Sequence, residues 1–261
     1  MNQEQIQAYG DELYQALRAQ KTITPFTDRA LEISIDDAYH ISLRMLERRL
    51  ADGECVVGKK IGVTSKVVQD MLGVHRPDFG YLTNVMEHAN SADIKISDCM
   101  IQPRAEAEIG FRLKKDLCGP GVTEQDVLDA TDYICPCFEI VDSRIDNWRI
   151  KIQDTVADNA SCGTFVLGLE RVDPRTVDLP NLKVVVSKNG EFLSEGLGSA
   201  VQGNPLTAVA WLANTLGEYG IPFKAGEVIL SGSLVPLESV KAGDKMHMEL
   251  QGVGSCSVNF V

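Results

Sequence analysis

The sequence is most informative at Gln102-Pro103-Arg104-Ala105-Glu106-Ala107-Glu108-Ile109-Gly110-Phe111-Arg112-Leu113. Apolar or small residues alternate with polar ones from Ala105 onward, which predicts a β-strand over residues 105–113. Residues two apart in a strand point to the same face, so Glu106 and Glu108 should lie side by side. Two carboxylates this close repel each other unless a positive charge lies between them. A divalent cation is the economical explanation.

A third acid, Glu139, lies within the apolar run Cys135–Val141. An unpaired buried charge is costly, so this carboxylate also needs a partner. Three carboxylates without a histidine favour Mg²⁺ or Mn²⁺ over zinc, and they leave open positions for water or a chelating substrate. The spacing alone leaves an alternative in which Glu106 and Glu108 lie on a solvated strand face. Nothing in the residues alone brings the three acids together.

The rest of the chain divides into a helical start and a strand-rich remainder. Helical periodicity is present at residues 3–20, and Ser34 begins a second helix that ends at Gly53. Two later helices are expected from Thr123 to about Tyr133 and from Pro205 to Tyr219. Further short strands are expected at Cys55–Val57, Cys135–Val141, Cys162–Leu167, Lys183–Lys188, Val228–Ser231, Lys245–Leu250 and Cys256–Phe260. We therefore expect an α/β (α+β) protein with a helical or αβ part over residues 1–80 and a β-rich core over residues 81–261.

The charge balance argues against two classes of binding partner. The 261 residues include 25 Lys and Arg against 37 Asp and Glu, which gives a formal net charge of −12. This excess argues against nucleic acid and against an anionic membrane surface as partners. No apolar run reaches the roughly 20 residues that span a bilayer, and the first residues lack the pattern of a secretory signal. The seven cysteines show no disulfide or zinc spacing, so we expect free thiols in a cytoplasmic protein.

Two further segments carry candidate site residues on glycine-containing stretches. Lys60 lies between Gly58 and Gly62, where it is either a perturbed acid or base, a counter-charge to an anion, or an ordinary surface lysine. Asp78 lies in Pro77-Asp78-Phe79-Gly80-Tyr81, which is typical of a turn.

Two loops offer groups for a polar small molecule. The segment Gln153–Gly163 is dense in hydrogen-bonding side chains, among them Asp158 and Asn159, although the same residues are ordinary in turns. Gly232 and Ser233 follow a predicted strand, and backbone N–H groups in such a loop can hold a carboxylate. We expect these four residues to bind substrate.

Taken together, these motifs resemble the 2-hydroxypenta-2,4-dienoate (2-oxopent-4-enoate) hydratases of aromatic meta-cleavage catabolism, a branch of the fumarylacetoacetase-like superfamily. The resemblance covers nearly the whole chain and rests on residues 58–64, 77–80, 102–108, 138–144 and 154–161. It implies a mixed, rolled β-sheet core. It implies that Glu106, Glu108 and Glu139 ligate one Mg²⁺ or Mn²⁺. It also implies that Lys60, Asp78 and Ser161 face the substrate.

The resemblance also implies a reaction: addition of water to a 2-hydroxydienoate, or its 2-oxo tautomer, to give 4-hydroxy-2-oxopentanoate. We expect Lys60 to shuttle a proton or hold the oxyanion, and Asp78 to position or deprotonate the water with help from Ser161. A homo-oligomer is expected, and association with the 4-oxalocrotonate decarboxylase of the same pathway is compatible with the family.

Three alternatives remain open from the sequence. A 2-oxo-3-hexenedioate (4-oxalocrotonate) decarboxylase would share the metal acids but would need basic residues for a second carboxylate. A carbon–carbon bond hydrolase would need a His–Glu pair, for which His75 is the only plausible histidine. A non-catalytic partner subunit of the decarboxylase would bind metal without turnover.

Overall fold

Helices dominate the first fifty residues and strands most of the remainder. The structure, a computed structural model, describes residues 1–30 and 32–261, apart from the side chains of Val67 and Met71. The helices are α1 Gln3–Ala19, α2 Ile35–Ala51, α3 Lys66–Leu72, α4 Ile96–Cys99, α5 Glu124–Ala130, α6 Ile152–Ala157 and α7 Pro205–Gly217. The strands are β1 Val56–Gly62, β2 Asp78–Thr83, β3 Glu87–His88, β4 Asp93–Ile94, β5 Arg104–Leu113, β6 Thr131–Val141, β7 Cys162–Leu167, β8 Lys183–Lys188, β9 Glu191–Leu197, β10 Val228–Leu230, β11 Glu238–Ser239, β12 Lys245–Leu250 and β13 Gly254–Phe260.

The second helix begins where its capping residue, Ser34, predicts. In α2 the Ser34 side chain accepts a hydrogen bond from the Asp37 backbone N–H, and the Asp37 carboxylate accepts one from the Ser34 backbone N–H, which completes a capping box. The buried faces of α1 and α2 pack with α6 in one apolar cluster, to which Leu13, Ile41 and Val156 contribute. The helical N-terminal residues therefore pack against a helix that comes from the middle of the chain.

The larger sheet is strongly curled. Its strand order is β2-β1-β10-β5-β6-β7-β3, with β11 paired to β5. In a flat sheet β1 and β6 would lie three strand spacings apart, about 14 Å. Lys60 on β1 nevertheless brings its Nζ within 3.3 Å of Glu139 Oε1 on β6. Curling therefore turns side chains from distant strands into one interior, and the predicted mixed α/β fold with a rolled sheet is confirmed.

A second, five-stranded sheet packs against the first. Its order is β4-β13-β12-β8-β9. Strand β12 alternates strictly, with Met246, Met248 and Leu250 buried between exposed neighbours. These side chains join a large apolar cluster that also includes Leu212 of α7. No helix in the described residues is long and apolar enough to cross a bilayer.

Three expectations from the sequence were wrong in detail. The segment Pro77–Tyr81, expected as a turn, leads directly into β2, all of whose residues are buried and which pairs antiparallel with β1. The segment Gln153–Gly163, expected as a loop, contains α6 and a tight 3-10 turn at Asn159–Ser161. The helix expected from Thr123 to about Tyr133 is α5, which ends at Ala130 because pairing with β5 extends β6 back to Thr131. In the first and third cases strand pairing overrode local preference.

The expected division at residue 80 falls inside β2. Strand β1 belongs to the first part of that division, yet it pairs in parallel with β10 of the second. The larger sheet thus draws on both parts, and the division stays a prediction about folding units.

Candidate metal centre and active site

The antiparallel pair β5–β6 carries the three acids singled out in the sequence. Glu106 lies directly opposite Glu139 in the register, and Glu108 follows two residues later on the same face of β5. One carboxylate oxygen of each residue lies within 4.8 Å of those of the other two. A single pair of strands therefore supplies a three-carboxylate cluster.

The cluster is electrostatically strained without a cation. Glu108 and Glu139 are fully buried, and Glu106 is the least enclosed of the three. Burial, together with the charge of Glu139, raises the pKa of Glu106 to about 8. Burial and the charges of Glu139 and Glu106 also raise the pKa of Glu108 well above its ordinary value. The site therefore favours either bound protons or a bound cation.

The oxygen atoms left without partners fit a divalent cation. Among the described residues, both carboxylate oxygens of Glu139 and Oε1 of Glu108 are buried and make no hydrogen bond. Buried polar atoms are almost always satisfied, so these orphans indicate a missing partner. The donors are all hard carboxylate oxygens, the type that Mg²⁺ and Mn²⁺ prefer. The residues present thus fit a hard divalent cation.

A glycine on the loop after β10 orients one of these acids. The Gly232 backbone N–H donates to Glu108 Oε2 at 2.9 Å. Gly232 has φ 109°, and a Cβ there would lie 2.5 Å from Thr64 Oγ1, so only glycine suits this position. The structure thus gives this N–H a protein acceptor, and the contact of Gly232 with a substrate carboxylate stays a prediction. The neighbouring Ser233 hydroxyl donates to the Val235 carbonyl, so it too has a protein partner.

Lys60 and Asp78 lie beside the acids, on β1 and β2. A Cβ on Gly62 would meet Asp78 Oδ1 at 2.3 Å and Lys60 Nζ at 3.3 Å, so the absence of a side chain there makes room for both groups. Lys60 Nζ is 3.3 Å from Glu139 Oε1, an ion-pair distance without hydrogen-bond alignment. The surface-lysine alternative for Lys60 is wrong, because its side chain is buried.

The charges in this group perturb each other. Burial favours the neutral amine of Lys60, but the carboxylates of Glu139 and Asp78 outweigh it and raise the pKa of Lys60. Burial raises the pKa of Asp78 above its ordinary value, with Lys60 opposing and Glu139 adding to the effect. Asp78 Oδ1 is also buried without a hydrogen-bond partner. A lysine that holds its proton thus lies next to a carboxyl group that releases its proton reluctantly.

The adjacent Lys59 points away from this site. Its Nζ lies 2.5 Å from the Glu227 carboxylate, and its ammonium group also faces the Phe223 ring. Alternation along β1 therefore gives two consecutive lysines two separate buried environments.

Ser161 ends a tight turn beside the same group. Its hydroxyl lies 3.1 Å from Thr155 Oγ1. The next residue, Cys162, has a thiol whose pKa is raised by burial and by the charge of Glu139, with Lys60 opposing, which places this end of the turn near the acids. The turn therefore ends close to the acids, and the role of the Ser161 hydroxyl toward substrate stays a prediction.

The side chains of Asp158 and Asn159 are engaged within the protein. Both Asp158 oxygens accept hydrogen bonds from Arg144, and one also from Ser143. The Asn159 amide pairs with the backbone of Tyr81. These contacts give the two residues a structural role, and their contact with substrate stays a prediction.

Sequence reasoning missed Arg144 and Thr155 as site-forming residues. Arg144 is fully buried. The only sign of its role in the sequence was its position as a cationic residue five residues after Glu139, beyond the apolar run. Thr155 gave no signal beyond its place in a polar segment. His75 is exposed, in the segment before β2.

Comparisons with known proteins find relatives that cover most of the chain. Residues 57–261 match the family model described as fumarylacetoacetate (FAA) hydrolase, C-terminal. A 2-hydroxyhexa-2,4-dienoate hydratase from Comamonas testosteroni is 61% identical over 256 residues, covering 98% of this chain and 97% of the relative. A 2-hydroxypent-2,4-dienoate hydratase from Pseudomonas putida is 63% identical over 221 residues, covering 85% of this chain and all of the relative. A solved structure of 4-oxalocrotonate decarboxylase from Pseudomonas putida G7, complexed with magnesium and adipate, superposes with a TM-score of 0.96 at 36% identity, covering 100% of this chain and 99% of that one.

Proposed function

The chain belongs to the fumarylacetoacetate hydrolase family, and we propose that it is a hydro-lyase that adds water to 2-hydroxypenta-2,4-dienoate to give 4-hydroxy-2-oxopentanoate. The observation that carries the proposal is the buried three-carboxylate cluster with Lys60 and Asp78 beside it. Such a group offers a cation site for a 2-oxo acid together with groups that move protons. The relatives that share most of the chain are named as dienoate hydratases, which agrees with this chemistry.

Glu106, Glu108 and Glu139 would hold one Mg²⁺ or Mn²⁺. When bound, such a cation supplies Lewis-acid stabilisation of negative charge on the C2 oxygen of the substrate. Partnerless oxygens on Glu108 and Glu139 support this assignment. Titration of the metal-free protein with each ion separately would decide which binds more tightly.

Two protons must move for water to add. Protonation at C5 and loss of the C2 hydroxyl proton convert the dienol into 2-oxopent-3-enoate, whose C4 is electrophilic by conjugation. Lys60 is suited to deliver or hold the first proton, because its neighbours keep it charged while it is buried.

Water then adds its hydroxyl to C4, and C3 gains a proton. Asp78 is suited to orient this water and accept its proton, because its Oδ1 is buried without a partner and burial raises its pKa above the ordinary value. The Ser161 hydroxyl would help to hold the same water. Exclusion of bulk solvent around these groups strengthens their mutual effects.

The decarboxylase alternative finds less support in the charges around the site. A substrate with a second carboxylate needs a further cation near the centre. Among the described residues, each buried cation already faces an acid, and these pairs are Lys60–Glu139, Lys59–Glu227, Arg144–Asp158 and Arg49–Glu54. This arrangement favours a substrate with one carboxylate.

The discriminating experiment is a turnover assay with freshly generated 2-hydroxypenta-2,4-dienoate, with and without Mg²⁺ or Mn²⁺. We expect metal-dependent loss of dienol absorbance and formation of 4-hydroxy-2-oxopentanoate. A parallel assay offers 2-oxo-3-hexenedioate, and CO₂ release from that diacid alone would identify a decarboxylase. Metal binding without turnover of either compound would identify a non-catalytic subunit.

We further propose that the protein acts as a homo-oligomer and associates with the 4-oxalocrotonate decarboxylase of its pathway, as the family resemblance implies. Light scattering on the purified protein measures the first, and a single-chain mass would contradict it. Co-elution of the two enzymes on a sizing column tests the second.

A further inference from the structure

The turn that ends at Ser161 has an unusual backbone. Three consecutive non-glycine residues, Asn159, Ala160 and Ser161, have φ values of 53°, 51° and 52°, and all three are buried. The left-handed region is disfavoured for L-residues, which normally visit it one at a time. A succession of such residues persists only when the surrounding contacts over-determine it.

Arg144 holds the turn from both ends. Its Nε and Nη2 donate to the Asp158 carboxylate at 2.5 Å and to the Asp158 carbonyl at 2.6 Å. Its Nη1 donates to the Cys162 carbonyl at 2.9 Å. These acceptors flank the three left-handed residues, and the guanidinium is fully buried. The planar fork of one side chain therefore determines the distance across the turn.

The same turn is also attached to β2. The Asn159 amide accepts from the Tyr81 N–H at 2.8 Å and donates to the Tyr81 carbonyl at 2.9 Å, as a neighbouring strand would. Gly80 allows this approach, because a Cβ there would lie 2.4 Å from the Asn159 carbonyl oxygen. Asp78 begins the same strand. The positions of Ser161 and Asp78 are thus linked through this contact.

We propose that Arg144 is a positioning residue, which holds the turn at residues 158–162 against β2 so that Ser161 and Asp78 act on the same water molecule. The inference rests on the proposed hydratase function and adds a residue to it. The side chain of Arg144 donates to Asp158, Cys162 and the Asp142 carbonyl, so it acts through the turn. Its loss should impair the addition of water at C4 more than the earlier protonation at C5, which depends on Lys60.

The test is the ratio of two products. In Arg144→Lys the charge remains but the fork is lost, so part of the substrate should leave as 2-oxopent-3-enoate before water adds. The measurement is the ratio of 2-oxopent-3-enoate to 4-hydroxy-2-oxopentanoate by nuclear magnetic resonance, at saturating substrate. Displacing a reacting group by about 1 Å costs roughly a hundredfold in rate, so we expect the ratio to rise at least tenfold. Stoichiometry and affinity of Mn²⁺ binding to the metal-free variant should stay within about twofold of wild type.

The matched control is Arg49→Lys. Arg49 is also buried, pairs with Glu54 and donates to Thr83, but makes no hydrogen bond to the turn. We expect it to lose stability with an unchanged product ratio. If Arg144→Lys does not fold, Asn159→Ala removes the attachment to β2 while leaving Arg144 in place, and it should raise the ratio in the same way.

An Arg144→Lys or Asn159→Ala protein with reduced turnover but the wild-type product ratio would overturn the proposal, since loss of folded protein lowers both products equally. If wild-type protein forms no 4-hydroxy-2-oxopentanoate at all, the proposed function fails, and that result is read before any variant is made.

Discussion

Lys60 Nζ lies 3.3 Å from Glu139 Oε1 in the interior of the curled sheet, with both side chains almost completely buried. The ammonium group is thus the internal counter-charge of the acid cluster. A divalent cation bound by Glu106, Glu108 and Glu139 would compete with it for the same carboxylate. Cation binding would therefore loosen the hold on the lysine proton and ready it for transfer.

Replacement of Lys60 tests this relationship directly. In Lys60→Met we expect turnover to fall by about 10²–10⁴-fold, the usual contribution of a positioned acid or base. Metal affinity should rise slightly, because a competing positive charge is gone. Isothermal titration and steady-state assays measure the two effects. Lys59→Met is the matched control, since its ammonium group pairs with Glu227 on the other face of β1, and it should retain turnover. Full activity in Lys60→Met would remove this residue from the mechanism.

Removal of one proposed ligand should act on metal binding first. In Glu108→Gln we expect metal affinity to fall by more than the roughly 10–100-fold typical for loss of a supporting residue. The control is Glu227→Gln, another buried acid that faces Lys59 instead of the cluster. Calorimetric titration with Mg²⁺ and Mn²⁺ measures both, and equal affinities in the two variants would contradict the assignment.

The acid cluster should make metal-free stability pH-dependent. The carboxyl of Glu106 has an ordinary pKa of 4.5 and a raised pKa of about 8 in the folded chain, so folding favours its protonated form. A carboxyl whose pKa is raised by folding stabilises the folded state fully at pH values below its unfolded-state pKa. This stabilisation is lost as the pH rises toward the folded-state pKa of about 8. We therefore expect the melting temperature of metal-free protein to fall between about pH 5 and pH 8.5.

Added cation should reverse this trend, because it binds the ionised carboxylates and binds more tightly as the pH rises. Thermal melts with and without Mn²⁺ across the same pH range measure the effect. Glu106→Gln should flatten the metal-free curve. A metal-free wild-type curve that is already flat would show that these carboxyls ionise as they do in water.

Gly232 should be intolerant of a side chain. Alanine there would take a left-handed φ and clash with Thr64 at 2.5 Å, shifting the N–H that Glu108 accepts. We expect Gly232→Ala to lose about 1–3 kcal/mol of unfolding free energy, and metal affinity with it. Gly226 has φ 89° with open space around its Cβ position, so Gly226→Ala isolates the backbone strain and should leave metal affinity intact. Urea unfolding and metal titration of both variants provide the comparison.

The local sequence pattern predicted the placement of the three acids well, and the arrangement of the residues around them poorly. Alternation placed Glu106 and Glu108 on one face of β5, and the apolar setting of Glu139 indicated a buried carboxylate, both as the structure has them. The register that sets Glu106 opposite Glu139 could not be read from the sequence, because a period of two does not identify the partner strand.

The errors came from residues whose local preference was overridden. Pro77, Asp78 and Gly80 favour turns, but Asp78 and Gly80 lie in strand β2. Glycine is needed at position 80 because the turn at Asn159 approaches the strand closely. Arg144 gave little signal because most of its acceptors, the Asp158 carboxylate and the Asp158 and Cys162 carbonyls, belong to a later segment that folding brings to it.

The proposed metal ligands and the groups that would move protons come from different elements, which bears on how this family diverges. All three proposed ligands come from the single pair β5–β6, whereas the groups that would move protons come from β1, β2 and the turn after α6. Substitutions in the second set can change the reaction while the first set keeps its cation. A hydratase and a decarboxylase can then descend from one ancestor without ever passing through a form that has lost its metal centre.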